Sequence, residues 1–328
     1  MGWVATPELV AASCNAGALG FLAAATLKPE DVDAKITQTK QLTDKPFGVN
    51  FLMEAPGADV IVESIVRHRL KAASYSRSPN PDFIKRFKEA GIFCIPTCGA
   101  ARHAQKAVQL GADIVVVQGG EGGGHTGTIP SSLLVSQVVD LVDAPVVAAG
   151  GFRDGRGLVA ALAFGAVGIA MGTRFLLTQE SPVPPETAKR YLAASINDIL
   201  VTEQVDGMPQ RVVLNELVHK LESSSRVGLL LRAIRSGLAY RKLTGASIPE
   251  LLRSALALQR SEKMTRAQTL MAANAPILVE KAMVKGDPVH GVLPSGSVAG
   301  VIDDLPSVSE LIERIIDEAE QTLATLAK

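Results

Sequence analysis

His125 ends the run Gln118-Gly119-Gly120-Glu121-Gly122-Gly123-Gly124-His125-Thr126-Gly127, which follows the apolar, β-branched stretch Ile114 to Val117. So many glycines leave backbone N–H groups uncovered and let a flat ring come close. A histidine on such a loop, beyond the end of a strand, suits general acid–base work near neutral pH. The run carries no Gly-Lys-Ser/Thr, so it is not a P-loop, and it does not open a helix in the G-x-G-x-x-G manner. His68, His103, His219 and His290 have no such setting and are read as structural or incidental.

Two more loops carry the right residue types for a ligand phosphate: Ala149-Gly150-Gly151-Phe152-Arg153-Asp154-Gly155 and Ala170-Met171-Gly172-Thr173-Arg174-Phe175. Small residues let backbone N–H groups approach the oxygens, a helix N-terminus following the loop favours an anion, and Thr173 adds a hydroxyl donor. The bland alternative is that these glycines only shape turns. Asn50 closes the stretch Phe47-Gly48-Val49, where its amide could meet a heterocycle's edge or cap a turn. Cys94 and Cys98 with His103 lack zinc spacing and a fourth ligand, so they are read as buried thiols and no metal site is expected.

The elements that would position these residues repeat one device, an amphipathic stretch ending in Gly followed by a short apolar run. The runs that follow such a Gly are Leu19 to Ala23, Ile92 to Ile95, Ile114 to Val117 and Gly168 to Met171, and Phe47 to Phe51, Ala72 to Tyr75 and Pro145 to Ala149 bring the candidate strands to seven. Helical patterns such as Pro29 to Leu42, Pro81 to Ala90, Ala100 to Leu110 and Gly155 to Phe164 separate them. Strands alternating with helices imply a parallel sheet, and the spacing favours an α/β fold of the (β/α)8 TIM-barrel type over a doubly wound sheet. The first strand is apparently missing or truncated, because the helix Pro7 to Ala16 leaves only Met1 to Thr6 before it. Either the natural chain begins upstream of Met1 or the first barrel position is rebuilt.

After Thr178 the texture changes. Residues 1–180 are read as the β/α barrel, 181–285 as an inserted helical lid with helices at Tyr191 to Ile196, Leu214 to Leu221, Leu229 to Ala239 and Pro249 to Leu258, and 286–328 as a return segment and C-terminal helix. In that last helix Leu311, Ile312, Ile315, Ile316, Ala319 and Leu323 make one apolar stripe. Lys+Arg and Asp+Glu are equal at 33 each, which gives no field for nucleic acid or an anionic membrane and leaves a small-molecule substrate as the expected partner. Three scattered cysteines, no export signal and no long apolar run point to a cytoplasmic protein. A homo-oligomer is left open.

The chain resembles the nitronate monooxygenase family, formerly the 2-nitropropane dioxygenases, in Gly2-Trp3, Pro46-Phe47-Gly48-Val49-Asn50, Gly122-Gly123-Gly124-His125, Gly150-Gly151-Phe152, Asp154-Gly155-Arg156-Gly157, Met171-Gly172-Thr173-Arg174-Phe175, Ser295-Gly296 and Asp303-Asp304. That resemblance implies an FMN-dependent oxidoreductase on a barrel with a helical lid. By position, Gly150, Gly151, Gly172 and Thr173 would hold the FMN phosphate, Asn50, Thr97, Gln118 and Gly124 would contact the flavin, and His125 falls on the catalytic histidine. Three departures stand out. Only Met1-Gly2-Trp3 remains of the family's opening strand and loop, Thr97 replaces a flavin-contacting Lys, and Gln118 replaces an Asp.

The leading expectation is oxidation of alkyl nitronates with O2. The chain also resembles an actinobacterial branch carrying the Gln118 to Gly127 run and Val205 to Pro209, which implies a second reading, a flavin dehydrogenase or reductase exchanging hydride between NAD(P)H and an enoyl- or steroid-derived acyl-CoA. For that reading Lys220, Arg226, Arg232, Arg235, Arg241 and Lys242 are candidate CoA-binding cations or else a solvated face. A third reading is a non-catalytic barrel that has lost its flavin.

Overall fold

Gly91 and Gly165 take φ of 68° and 89°, a left-handed conformation that ends one helix and releases the chain into the next strand. The computed structural model describes residues 1–76, 79–223 and 266–328, and in it the seven apolar runs are seven strands of one sheet. They are β1 (Phe21–Ala23), β2 (Gly48–Leu52), β3 (Ala72–Ser76), β4 (Phe93–Cys98), β5 (Val115–Gln118), then, beyond β6 (Gly124–His125) which stands apart, β7 (Val146–Ala149) and β8 (Gly168–Ala170). Every neighbouring pair is parallel, with Val49 opposite both Leu22 and Ala73, and Ala148 opposite both Val117 and Ile169.

Parallel strands need crossovers, and helices supply them. α1 (Pro7–Asn15) precedes β1, and α2 (Val32–Leu42), α3 (Ala58–Arg67), α4 (Pro81–Glu89), α5 (Ala101–Gln109), α6 (Ser131–Leu141) and α7 (Gly155–Ala163) follow successive strands of the sheet. The sheet curls as in a (β/α) barrel. β1 and β8 remain its edges, and the described residues form no eighth strand between them. Met1–Thr6 is a turn, in which Ala5 gives β1 a single ladder-like bond by accepting from the Ala23 N–H at 3.0 Å. Under the sheet, Phe87 of α4 is fully buried and meets Phe51 of β2 edge to face, with ring centroids 6.2 Å apart. Cys14, Cys94 and Cys98 are buried and unpaired with one another, and burial pushes Cys94 up to about 12 and Cys98 up to about 11, so neither is a nucleophile at neutral pH.

Beyond β8 come α8 (Thr173–Leu176), α9 (Pro185–Leu192), an antiparallel hairpin of β9 (Ile199–Thr202) and β10 (Gln210–Val213), α10 (Glu216–Glu222), α11 (Arg266–Met283) and α12 (Val308–Leu326). The hairpin is a departure from the purely helical reading of 181–285. Ile199-Leu200-Val201-Thr202 is β-branched, but four residues are too few to show a period against the helical patterns around them. The helix expected at Leu214 to Leu221 is α10, whereas those at Leu229 to Ala239 and Pro249 to Leu258 lie outside the described residues. Among the described residues no helix is long and apolar enough to cross a membrane.

α12 starts with a capping box in which the Ser307 hydroxyl accepts from Glu310 N–H and the Glu310 carboxylate accepts from Ser307 N–H. It buries Val308, Leu311, Ile315 and Ala319 against α7 and α1, whereas Ile316 and Leu323 of the expected stripe stay largely exposed. The contact with α7 is backbone to backbone. A Cβ on Gly155 would lie 2.4 Å from Ala319 N and 2.4 Å from Ile315 O. Glu318 adds to the pairing by accepting from the Gly155 N–H at 2.9 Å. Gly155→Ala must therefore push α12 off the barrel, and the expected loss is about 1–3 kcal/mol. Urea unfolding checks it: the midpoint should fall with the slope unchanged, and an unaltered midpoint would mean that α12 yields freely.

Candidate functional site

β5 ends at Gln118, and the loop that follows folds back on itself because its glycines permit contacts that a Cβ would block. At Gly119 a Cβ would stand 2.5 Å from Ser131 N, and at Gly123 it would stand 2.6 Å from Gly296 N. Side chains then pin the loop. The Glu121 carboxylate accepts from Ser131 N–H at 2.9 Å, the Thr126 hydroxyl donates to Gly120 O at 3.0 Å, and Arg211 donates to the same oxygen at 2.6 Å. The Gln118 amide donates to His125 O at 3.1 Å. The apex of the loop is thereby drawn back over the strand that launched it.

Above the strand ends this leaves a cavity of about 640 Å³, within the range usual for small-molecule and cofactor sites. Gln118, Gly124, His125, Gly150, Gly151, Gly172 and Thr173, all singled out from sequence, line it together. Glycine backbone forms one wall, and Trp3, Phe152, Met208, Val279 and Met283 give the other an apolar character. Among the described residues that line it there is no lysine or arginine. Asn50 and Thr97 lie elsewhere. They line a second cavity of about 1280 Å³ that runs down the barrel axis to the strip between β1 and β8, with Gln118 and His125 bordering both. There Asn50 donates to the Ser74 hydroxyl at 3.0 Å.

The phosphate loops differ in one respect from the sequence expectation. The helix after Gly150-Gly151 cannot offer its N-terminus to an anion, because Asp154 caps α7 by accepting from Gly157 N–H at 3.2 Å and Glu318 takes Gly155 N–H. What remains there is loop backbone. At the neighbouring loop the Thr173 hydroxyl accepts from Gly296 N–H at 2.8 Å, which leaves its own hydrogen for a ligand.

His125 is the half-exposed imidazole of the site, and the structure adds a partner that the sequence reading missed. β10 pairs antiparallel with β6, setting Gln210 opposite His125, and the turn that leads into β10 carries Asp206. His125 Nε2 lies 2.7 Å from Asp206 Oδ2, the Gln210 amide donates to that same oxygen, and Met208 N–H donates to Oδ1 at 3.1 Å. Asp206 is 6% exposed. Burial pushes its carboxyl up, but the hydrogen bond and charge of His125, with the Met208 and Gln210 donors, outweigh burial and hold it below its ordinary 3.8. The available signal was Asp206-Gly207-Met208-Pro209 between two β-branched runs, which reads as a hairpin turn. Of the candidate CoA-binding cations, Lys220 pairs with Glu216 at 3.4 Å, and Arg226, Arg232, Arg235, Arg241 and Lys242 lie outside the described residues.

A sequence profile of the family described as nitronate monooxygenase matches residues 1–318. Over 99% of its length the chain is 48% identical to the (3aS,4S,5R,7aS)-5-hydroxy-7a-methyl-1-oxo-octahydro-1H-indene-4-carboxyl-CoA dehydrogenase of Rhodococcus jostii (strain RHA1), covering 92% of that protein. A probable nitronate monooxygenase of Bacillus subtilis (strain 168) is 31% identical over 67% of this chain and 76% of its own. Among solved structures, FabK from Thermotoga maritima superposes with a TM-score of 0.80 at 31% identity, across 100% of this chain and 93% of that one.

The depressed Asp206 carboxyl has a consequence for stability. A carboxyl whose folded value lies below its unfolded one contributes stability above the unfolded value and loses it as pH falls through the folded value. Asp206→Asn removes that contribution, so its melting temperature should start lower near neutral pH and fall less steeply than the parent's once pH drops below 3.8. Parallel acid limbs in a plot of melting temperature against pH would mean that the pair contributes nothing to folding.

Proposed function

The chain is an oxidoreductase belonging to the nitronate monooxygenase family, and from that membership we propose that it is an FMN-dependent dehydrogenase of an acyl-CoA thioester rather than an oxidiser of small nitronates. The observation that carries the choice is the make-up of the cavity: a histidine–aspartate pair and, among its described lining, no lysine or arginine. A nitronate is already an anion, and a site built for it gains from a fixed positive charge. A thioester is neutral, and its adjacent C–H needs a base. The 48% identity to an indene-carboxyl-CoA dehydrogenase over 99% of the chain supports the same reading.

The cavity fits FMN on three counts. Its volume is ample, the glycine wall admits a flat ring beside Gly124, where an added Cβ would meet nothing within 4 Å, and the loops at Gly150, Gly151, Gly172 and Thr173 offer uncharged donors for a phosphate. Gln118 would contact the ring, whereas Asn50 and Thr97 line the second cavity, which Gln118 also borders. When bound, FMN supplies the two-electron acceptor that no side chain of this chain provides, and a nicotinamide nucleotide is the second redox partner. The protein's part is to orient the thioester under the apolar wall, exclude water, and take a proton from the carbon beside the carbonyl onto His125. Loss of that proton, together with a hydride from the neighbouring carbon to the two-electron acceptor that FMN would supply when bound, would leave an α,β-unsaturated thioester.

Anaerobic titration of the FMN-loaded protein tests this. A saturated cyclic acyl-CoA should bleach the oxidised-flavin absorbance, oxidised nicotinamide nucleotide should restore it, and a small alkyl nitronate should leave it unchanged. Bleaching by the nitronate alone would return the chain to nitronate oxidation, and protein that takes up no FMN would support the non-catalytic barrel. His125→Asn should still bind FMN while slowing bleaching by about 10²- to 10⁴-fold, the usual contribution of a positioned acid–base group.

A further inference from the structure

We infer that Asp206 is a positioning residue that locks His125 in the Nε2–H tautomer, leaving Nδ1 as the atom that takes the substrate proton; this rests on the reading of His125 as the base. The argument begins with Asp206, which is almost wholly buried. An ionised carboxylate is acceptor-only, so each atom within hydrogen-bond distance of it must bring a hydrogen. Three groups do so at Asp206: Met208 N–H on Oδ1, and the Gln210 amide and His125 Nε2 on Oδ2. Gln210 Nε2 also lies 3.2 Å from His125 Nε2, but the amide already gives one hydrogen to Oδ2, and because the carboxylate brings none, the hydrogen between Oδ2 and His125 Nε2 must come from the imidazole.

A proton on Nε2 of a neutral imidazole leaves a lone pair on Nδ1. No described residue hydrogen-bonds Nδ1, and His125 lines the cavity, so Nδ1 is the ring nitrogen left for a ligand there. In the proton transfer the substrate C–H bond breaks, an Nδ1–H bond forms, and the electron pair stays with the substrate. The ring becomes an imidazolium whose second N–H already faces a carboxylate, and the positive charge is stabilised where it arises. Asp206 itself stays ionised throughout. Its place in the sequence explains the geometry: a side chain 81 residues downstream reaches His125 only because β10 pairs with β6.

The experiment uses FMN-loaded protein carrying ¹⁵N in the histidine rings, with long-range proton–nitrogen correlation to read each ring's tautomer and His125→Asn to assign the signal. The parent should show neutral His125 protonated at Nε2. In Asp206→Asn the amide NH₂ can donate to Nε2, so His125 should move toward the Nδ1–H form. That variant's kcat should fall about 10²- to 10⁴-fold with KM changed less than about threefold, and Asp206→Glu should recover part of both the tautomer and kcat. A parent ring protonated at Nδ1, or an Asp206→Asn protein with unchanged tautomer and kcat, would overturn the assignment. The parent spectrum decides even if the variant fails to fold. The expected tautomers without turnover of any acyl-CoA would uphold the Asp206 assignment and sink the acyl-CoA reading instead.

Discussion

Backbone meets backbone above the strand ends of this protein, and nearly everything else at the site follows from that contact. Gly119 lies against the start of α6 and Gly123 against the return segment at Gly296, at separations that no side-chain-bearing residue permits. A loop built this way has few side chains of its own to define it, so its shape depends on hydrogen bonds from outside: Ser131 from α6, Arg211 from β10, and the Ser297 N–H of the return segment, which donates to Glu121 O. Each comes from a different stretch of the chain. The glycine loop therefore takes its shape only when the barrel, the hairpin and the return segment are all in place.

The same dependence explains the role of the second half of the chain. A curled sheet whose first and last strands do not meet has two open edges and a long interior cavity between them. α12 lies across that strip, where Ile312, Ile315 and Ile316 border the cavity, and its close approach to Gly155 fixes it to α7. The hairpin does for the catalytic face what α12 does for the flank. By adding two strands to β6 it turns a mobile kind of segment, a glycine run, into the edge of a small sheet, and strand pairing fixes His125 to within a hydrogen bond of Asp206.

What could be read from sequence divides along physical lines. The seven sheet strands were legible because each is a short apolar run between helical patterns, four of them announced by a helix-ending glycine at Gly17, Gly91, Gly111 or Gly165. Gly150, Gly151, Gly172, Thr173, Gln118, Gly124 and His125 were legible for a related reason: residues at the C-terminal ends of barrel strands share one face of the fold, so assigning the strands brings the residues together. Asn50 and Thr97 sit mid-strand and face the barrel axis, which strand-end reasoning does not distinguish from the upper cavity. The cap on α7 was hidden because Glu318 arrives from the far end of the chain. Asp206 was hidden although Val205 to Pro209 stood out as a run, because only the pairing of β6 with β10 brings its side chain to His125.

That last point bears on how this site discriminates among carbon acids. A cavity with a lysine beside its ring would favour ligands that arrive as anions, whereas this one sets a buried Asp206 carboxylate against the half-exposed His125, a pair whose polarity would rise if the imidazole took up a proton. The Asp206 carboxylate is satisfied by Met208, Gln210 and His125. The apolar wall of Trp3, Phe152, Val279 and Met283 then faces no uncompensated charge in the ground state. The neutral, largely hydrocarbon acyl part of the proposed thioester can lie against that wall without displacing an ion's hydration shell, and on that reading the electrostatic stabilisation arises when the substrate carbon gives up its proton.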